Sequence, residues 1–227
     1  MAIDTRMPLR AVLFDLDGTV LDTAPDMVGA LNALRREEKL GPLPFASARA
    51  CVSHGAAHLV KAGFPNAGPE ELGTLRERFL DIYRTGLSLE TRLFPGMDRV
   101  LAGMTDQGLI SGIVTNKPAW LTEPLLAQLG LRTHFACVVS GDTVSERKPH
   151  PLPLLHAAEL AGVAPGECVF VGDAERDVQA AHAAGMPALV AVYGYLQAEE
   201  DWQAWGADAG LKQPLDLLDW LERRGRT

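Results

Sequence analysis

The residues able to do chemistry fall into four short runs. The first, Asp15-Leu16-Asp17-Gly18-Thr19, follows directly on four apolar residues, Ala11-Val12-Leu13-Phe14. Two acids two positions apart, on a turn with free backbone N–H groups, can hold a hard cation and still leave a carboxylate for nucleophilic attack. The second, Val114-Thr115-Asn116-Lys117-Pro118, ends an apolar run in a hydroxyl and opens a helix. The N–H groups of such a helix start suit a phosphate, and Thr or Asn there also suits a plain helix cap. The third, Ser145-Glu146-Arg147-Lys148-Pro149-His150-Pro151, keeps Lys148 out of a helical backbone because a proline follows it. That lysine is either a solvated surface charge or an inward point charge among carboxylates and phosphate. In the fourth, Gly172-Asp173-Ala174-Glu175-Arg176-Asp177, Asp173 closes another apolar run and Asp177 lies one helical turn on. Helix capping by Asp173 with a solvated Asp177 is the ordinary alternative there. Each run alone has a bland explanation. Together, four strand ends carry the residue types that metal-assisted phosphoryl transfer needs.

The elements that must position these runs read as an α/β fold, a Rossmann-like parallel sheet. Apolar runs of β type occur at 11–14, 109–114, 136–139, 168–171 and 188–192. Helical periodicity fills 119–129, 151–161 and 175–184 between the later ones, the pattern of crossover connections in a sheet covered on both faces. Such sheets bind ligands at the carboxyl ends of their strands. The stretch from Asp22 to Leu93 breaks the alternation, with helical patterns at 25–39, 53–62 and 69–87 and no convincing strand. Thr23-Ala24-Pro25-Asp26 reads as an N-cap with proline just inside and an acid three residues on. Gly41-Pro42-Leu43-Pro44 and Phe64-Pro65-Asn66-Ala67-Gly68-Pro69 break helices, and Phe94-Pro95-Gly96 marks the return, followed by a helix to about Met104. The expected organisation is a core domain from residues 1–21 and 94–227, with a small helical domain, 22–93, inserted after the first strand. Residues 1–8 read as a loose tail.

A net charge of −8 at pH 7 argues against nucleic acid, whose phosphates need a basic surface. It leaves room for a small anionic substrate, because one lysine or a metal can override a distant negative average. The 3 cysteines, Cys51, Cys137 and Cys168, are widely spaced and suggest neither a zinc site nor a disulfide scaffold; Cys137 and Cys168, each in an apolar strand-like run, read as small core hydrophobes. The first ten residues lack an apolar signal segment and no run reaches the ~20 residues of a membrane span, so the expectation is a soluble, cytoplasmic protein with no membrane contact. Trp202, Trp205 and Trp220 suit core, edge or interface equally, which leaves monomer and homodimer open.

Asp15-Leu16-Asp17-Gly18-Thr19, Thr115-Asn116, Lys148-Pro149 and Gly172-Asp173 with Asp177 resemble, in order, the four motifs of the haloacid dehalogenase-like (HAD) hydrolases. The helical insert resembles that superfamily's C1 cap, and the match spans Arg10 to Trp220. Within it, Val114-Thr115-Asn116-Lys117-Pro118, Arg147-Lys148-Pro149-His150-Pro151-Leu152-Pro153-Leu154 and Tyr193-Gly194-Tyr195 read like phosphoglycolate phosphatases. Glu123-Pro124-Leu125-Leu126 and Trp205-Gly206-Ala207-Asp208 are more similar to N-acetylmuramic acid 6-phosphate phosphatases. Ala174 departs from the Gly-Asp-Ser common in phosphoglycolate phosphatases and removes one hydroxyl near the metal.

The resemblance implies a Mg²⁺-dependent phosphatase acting on a small phosphorylated metabolite. Asp15 would be the nucleophile and Asp17 the general acid/base. Asp15, the backbone carbonyl of Asp17 and Asp173 would hold the metal. Thr115, the Asn116 N–H and Lys148 would bind phosphate, and Asp177 would orient Lys148 or a metal-bound water. Substrate choice would lie in the cap, with Arg49, His54 and His58 as candidates, the Ser53-His54-Gly55-Ala56-Ala57 turn as a specificity loop, and Lys117 beside the phosphate site. Phosphoglycolate is the first substrate expected, with N-acetylmuramic acid 6-phosphate or another sugar phosphate as the alternative.

A phosphomutase of the same fold would share every motif but pass phosphate to a sugar. A dehalogenase would lack the second acid of the first motif, so Asp17 argues against it. A receiver-like module phosphorylated on aspartate would need neither Asp17 nor the insert.

Overall fold

The computed structural model describes residues 8–197 and 200–225; most of the expected N-terminal tail lies outside them. Six parallel strands form the central sheet: β1 (Ala11–Phe14), β4 (Ile110–Val114), β5 (Cys137–Val139), β6 (Cys168–Gly172), β7 (Ala188–Ala191) and β8 (Ala209–Leu211), in the order β5-β4-β1-β6-β7-β8. The chain leaves β1 toward β4 and β5, then crosses back to β6 on the other side, so the β1–β6 boundary is the point where strand order reverses. Ligand crevices form there in open parallel sheets.

Alternation along each strand builds two cores. Val12, Phe14, Ile113, Val169, Val171 and Leu189 face one apolar cluster, which also takes residues of α5 (Met97–Asp106), α6 (Ala119–Gln128) and α9 (Asp216–Gly225). Ala11, Leu13, Val114, Cys168, Phe170 and Val190 face the other, with α7 (Leu152–Ala161) and α8 (Glu175–Ala183). Cys137 and Cys168 are buried and form no disulfide, in keeping with a packing role. The strand β8, placed by the Trp205-Gly206-Ala207-Asp208 turn, extends the sheet beyond the five runs legible in the sequence; three residues offer too little periodicity to stand out.

Between β1 and β4 the chain forms α1 (Ala24–Glu37), α2 (Phe45–Arg49), α3 (Gly55–Gly63) and α4 (Pro69–Thr85). α4 packs on both α1 and α3. Leu31, Leu34, Leu75 and Phe79 join the same apolar cluster as β1, so this helical layer is seated on the sheet rather than standing apart. A short antiparallel ribbon of β2 (Leu21–Asp22) and β3 (Arg92–Leu93) carries both crossings between the helices and the sheet. The Thr23/Asp26 capping pair expected from the sequence does not form. Asp26 instead accepts hydrogen bonds from the backbone N–H groups of Glu90 and Thr91 and from the Thr91 hydroxyl, while Thr23 donates to Asp17 at 2.7 Å. Buried at the ribbon, Asp26 finds three donors on the returning chain, more than its own helix start offers.

Candidate active site

Parallel register brings three of the four runs together. Phe14 pairs with both Ile113 and Val171, and Val114 with Val139. The ladder runs one bond further at each end: Asp15 N–H donates to Val171 O at 2.8 Å and Thr115 N–H to Val139 O at 2.9 Å. Asp15, Thr115 and Asp173 therefore leave the same edge of the sheet.

Asp15, Asp173 and Asp177 each present a carboxylate oxygen within 4.8 Å of the others. Lys148 Nζ reaches among them, 2.9 Å from Asp15 Oδ1 and 2.8 Å from Asp177 Oδ1. Asp177 also accepts the Ala174 N–H, so it caps α8 and braces the lysine at once. It is buried rather than solvated, and it is the capping acid in place of Asp173. Asn116 grips the Lys148 backbone with both ends of its amide, Nδ2 donating to Lys148 O at 2.9 Å and Oδ1 accepting from Lys148 N–H at 3.1 Å. The lysine's loop is thus clamped to the Thr115 strand end. Gly18 lets the first motif pass under the cluster: its φ is +85°, and a Cβ there would sit 2.1 Å from Asp173 Oδ2.

The Lys148 ammonium is shared by Asp15 and Asp177, with the Asp173 carboxylate beside them, and this crowding of negative charge raises both Asp15 and Asp173. Desolvation pushes the Asp15 carboxyl up to about 6; Lys148 opposes it and Asp177 adds to it. Asp173 is pushed up to about 8, first by burial and then by Asp15 and Asp177, against hydrogen bonds from the Ser53 hydroxyl and the Tyr195 N–H. Burial pulls Lys148 down, but Asp15 and Asp177 more than offset it, so it is held above the ordinary lysine range. Asp173 Oδ1 is buried with no hydrogen-bond partner. Hard oxygen donors with uncompensated charge and an orphaned lone pair fit an oxygen-seeking divalent cation.

The Asp17 carboxylate does not join that cluster. It is turned toward the Thr23 hydroxyl and Lys117, whose Nζ lies 3.0 Å from Oδ1. Lys117 is buried and also donates to the Tyr83 hydroxyl of α4 at 3.0 Å. The Thr115 hydroxyl accepts the Lys117 N–H at 3.2 Å, tightening the turn into α6.

A cavity of about 540 Å³ opens over this edge. The sheet contributes Asp15, Asp17, Thr115, Asn116, Lys117 and Lys148; the helical layer contributes Ser53, His54, Arg76, Leu80 and Tyr83, and Trp120 of α6 also lines it. His54 stacks on His58 with ring centroids 4.8 Å apart. Burial holds His54 below the usual histidine range, helped by Arg176 and His58. His58 and Arg49 do not line the cavity among the described residues; the Arg49 guanidinium lies 4.7 Å from the Tyr195 ring centroid.

Ser53 reaches across from the helical layer to donate to Asp173, and Arg176 donates back to Ser53 O. Tyr195 binds the layer's entry, accepting the Ala24 N–H at 2.9 Å and donating to Asp22 at 2.8 Å. The parts played by Tyr83, Arg76 and Trp120 escape sequence reading. The i, i+4, i+7 spacing of Arg76, Leu80 and Tyr83 marks one face of α4, but a helical face does not say which neighbour it meets.

Residues 12–191 match the family model of the haloacid dehalogenase-like hydrolases. The chain is 44% identical over 210 residues to a phosphoglycolate phosphatase of Xanthomonas campestris pv. campestris, covering 92% of this chain and 95% of that protein. It is 39% identical over 219 residues to an N-acetylmuramic acid 6-phosphate phosphatase of Pseudomonas aeruginosa, covering 96% and 97%. Its fold superposes on the crystal structure of a predicted phosphoglycolate phosphatase from Haemophilus somnus with a TM-score of 0.83 at 26% identity, over 93% of this chain and 97% of that one. With its motif residues gathered on one sheet edge and these relatives spanning nearly its whole length, the chain belongs to the haloacid dehalogenase-like hydrolases and is a phosphatase of that family.

Proposed function

We propose that this phosphatase hydrolyses a small phosphorylated metabolite in the cytoplasm, through an aspartyl-phosphate on Asp15, with phosphoglycolate as its first candidate substrate. The observation that carries the reading is the buried ammonium of Lys148 set between Asp15 and Asp177 at the strand-order reversal. In the first step an Asp15 oxygen attacks phosphorus, the ester P–O bond breaks, and Asp17 gives its proton to the departing alkoxide. In the second, water loses a proton to Asp17 and attacks phosphorus, which releases inorganic phosphate and restores the Asp15 carboxylate. Thr115, the Asn116 N–H and Lys148 hold the phosphoryl oxygens in line for both displacements. Asp15, Asp173 and the backbone carbonyl of Asp17, with Asp177 beside them, would hold Mg²⁺, which would supply charge neutralisation for the phosphoryl group.

Residues 22–93 act in this reading as a cap on the core formed by 1–21 and 94–227, hinged at the Leu21–Asp22 and Arg92–Leu93 ribbon. Substrate choice falls to the cap face, with His54 at the cavity wall, His58 against His54 and Arg49 on the Tyr195 ring, while Lys117 lines the cavity on the core side. A second reading, a sugar phosphate such as N-acetylmuramic acid 6-phosphate, is favoured by one observation. The cavity of about 540 Å³ is much larger than phosphoglycolate fills and lies within the roughly 300–1,000 Å³ range of ordinary ligand pockets.

A steady-state comparison of 2-phosphoglycolate, N-acetylmuramic acid 6-phosphate and hexose phosphates tests this. A kcat/KM gap of about a hundredfold, about 2.7 kcal/mol of transition-state binding, assigns the substrate. EDTA is expected to remove activity and Mg²⁺ to restore it; hydrolysis that persists in EDTA, or phosphosugar interconversion without phosphate release, defeats the reading.

A further inference from the structure

Asp17 is reached from the helical layer by a short chain of contacts. Tyr83 lies on α4, at the cavity end of the Arg76, Leu80, Tyr83 face. Its hydroxyl accepts a hydrogen bond from Lys117 Nζ at 3.0 Å, and the same nitrogen donates to Asp17 Oδ1 at 3.0 Å. The ammonium also lies 4.7 Å from the centroid of the Tyr83 ring, within cation–π reach. Tyr83 is 1% exposed and Lys117 8%, so water offers little substitute for either contact. Burial pushes the Tyr83 hydroxyl up to about 12 against the pull of Lys117, so it meets the ammonium as a neutral acceptor. Truncating that hydroxyl would leave a buried lysine donor unpaired, and the ammonium would shift to satisfy it.

We propose that Tyr83 is a positioning residue for Asp17, acting through Lys117: with α4 seated on the sheet edge, the Asp17 carboxylate is held where it can exchange a proton with the leaving oxygen. This rests on the acid/base role given to Asp17 above. It assigns Lys117 a place in the proton-transfer machinery rather than in substrate selection, because its donors are spent on Asp17 and Tyr83. It also makes leaving-group departure conditional on the helical layer, since Tyr83 belongs to α4, whose Leu75 and Phe79 seat it in the shared apolar cluster.

The test is leaving-group dependence. kcat/KM covers the steps through loss of the leaving group, and p-nitrophenolate departs without a proton whereas an alkoxide needs one. Tyr83→Phe keeps the ring and removes one oxygen. It is expected to lower kcat/KM for 2-phosphoglycolate and N-acetylmuramic acid 6-phosphate at least about tenfold more than for p-nitrophenyl phosphate, a fraction of the 10²–10⁴ that general acids supply. Lys117→Met is expected to give the same inequality, and thermal melting of both variants monitors the fold. Equal losses on alkyl and aryl substrates, or no loss on either, overturn the proposal. Asp17→Asn, measured alongside, separates the two readings. If it shows the inequality and Tyr83→Phe does not, only the coupling falls; if Asp17→Asn lacks it, the acid role of Asp17 falls and that of Tyr83 with it.

Discussion

The sheet edge and the helical layer meet in one cavity but reach it by different routes. On the edge, Asp15, Thr115 and Asp173 follow directly on strands whose register is fixed by backbone ladders, so their convergence comes from topology. In the layer, Ser53 and His54 arrive from the turn before α3 and Tyr83 from α4, whose placement depends on side-chain packing in the apolar cluster shared with β1. The edge carries the charge, three acids with oxygens within 4.8 Å of one another and a lysine bonded to two of them. The layer carries mostly neutral donors and rings. In the proposed reading the edge does the chemistry and the layer admits, shapes and aligns the substrate.

That contrast is sharpest in substitutions that delete the reacting group without altering the fold. Asp15→Asn is expected to lower turnover of every phosphomonoester at least about a thousandfold, about 4 kcal/mol of barrier, with unchanged circular dichroism. Full activity in that variant would move the nucleophile elsewhere. Lys148→Met leaves Asp15 and Asp177 buried without their cation. Breaking a buried pair costs about 3–5 kcal/mol, which equilibrium denaturation in EDTA would register.

Protonation gives a subtler reading of the same edge. In metal-free protein the Asp15 carboxyl stands at about 6 and Asp173 at about 8, both above the ordinary 3.8. Between those limits the folded state binds more protons than the unfolded one, so folding stability falls as pH rises from about 4 to 8 and levels off above. Melting temperatures in EDTA should follow that slope, and saturating Mg²⁺ should flatten it by favouring the ionised carboxylates. A metal-free protein whose melting temperature climbs through this window would contradict the crowded-carboxylate account. The smallest effect belongs to the layer. Ser53→Ala deletes the hydrogen bond to Asp173 and is expected to cost about 1 kcal/mol in denaturant titration, with chemistry on p-nitrophenyl phosphate largely kept.

How much of this was legible beforehand follows the same division. Asp15, Thr115 and Asp173 could be placed because a strand's end is readable from an apolar run that stops, and Lys148 because the proline after it keeps it in a loop. Asn116 was legible as a site residue, yet its side chain clamps the Lys148 backbone, a bond spanning 32 positions that no local pattern contains. Asp26 was read as a helix-capping acid and instead holds Glu90 and Thr91, 64 and 65 positions away. Tyr83 gave only the periodicity of a buried helical residue.

The amino-acid order by itself determined the alternation of strands and helices, the helical interruption after the first strand, and the gathering of three chemically apt strand ends on one edge, whereas Lys148 reaches them from a loop. Those features depend on periodicity and on the handed, parallel geometry that repeated crossovers impose. Only the tertiary structure decided that Asp177 rather than Asp17 completes the carboxylate cluster, and that Lys117 pairs with Asp17. It alone set the volume left above them for a substrate. The reason is physical: side-chain partners across an interface are chosen by packing and desolvation among residues far apart in the chain, and no local spacing encodes that choice.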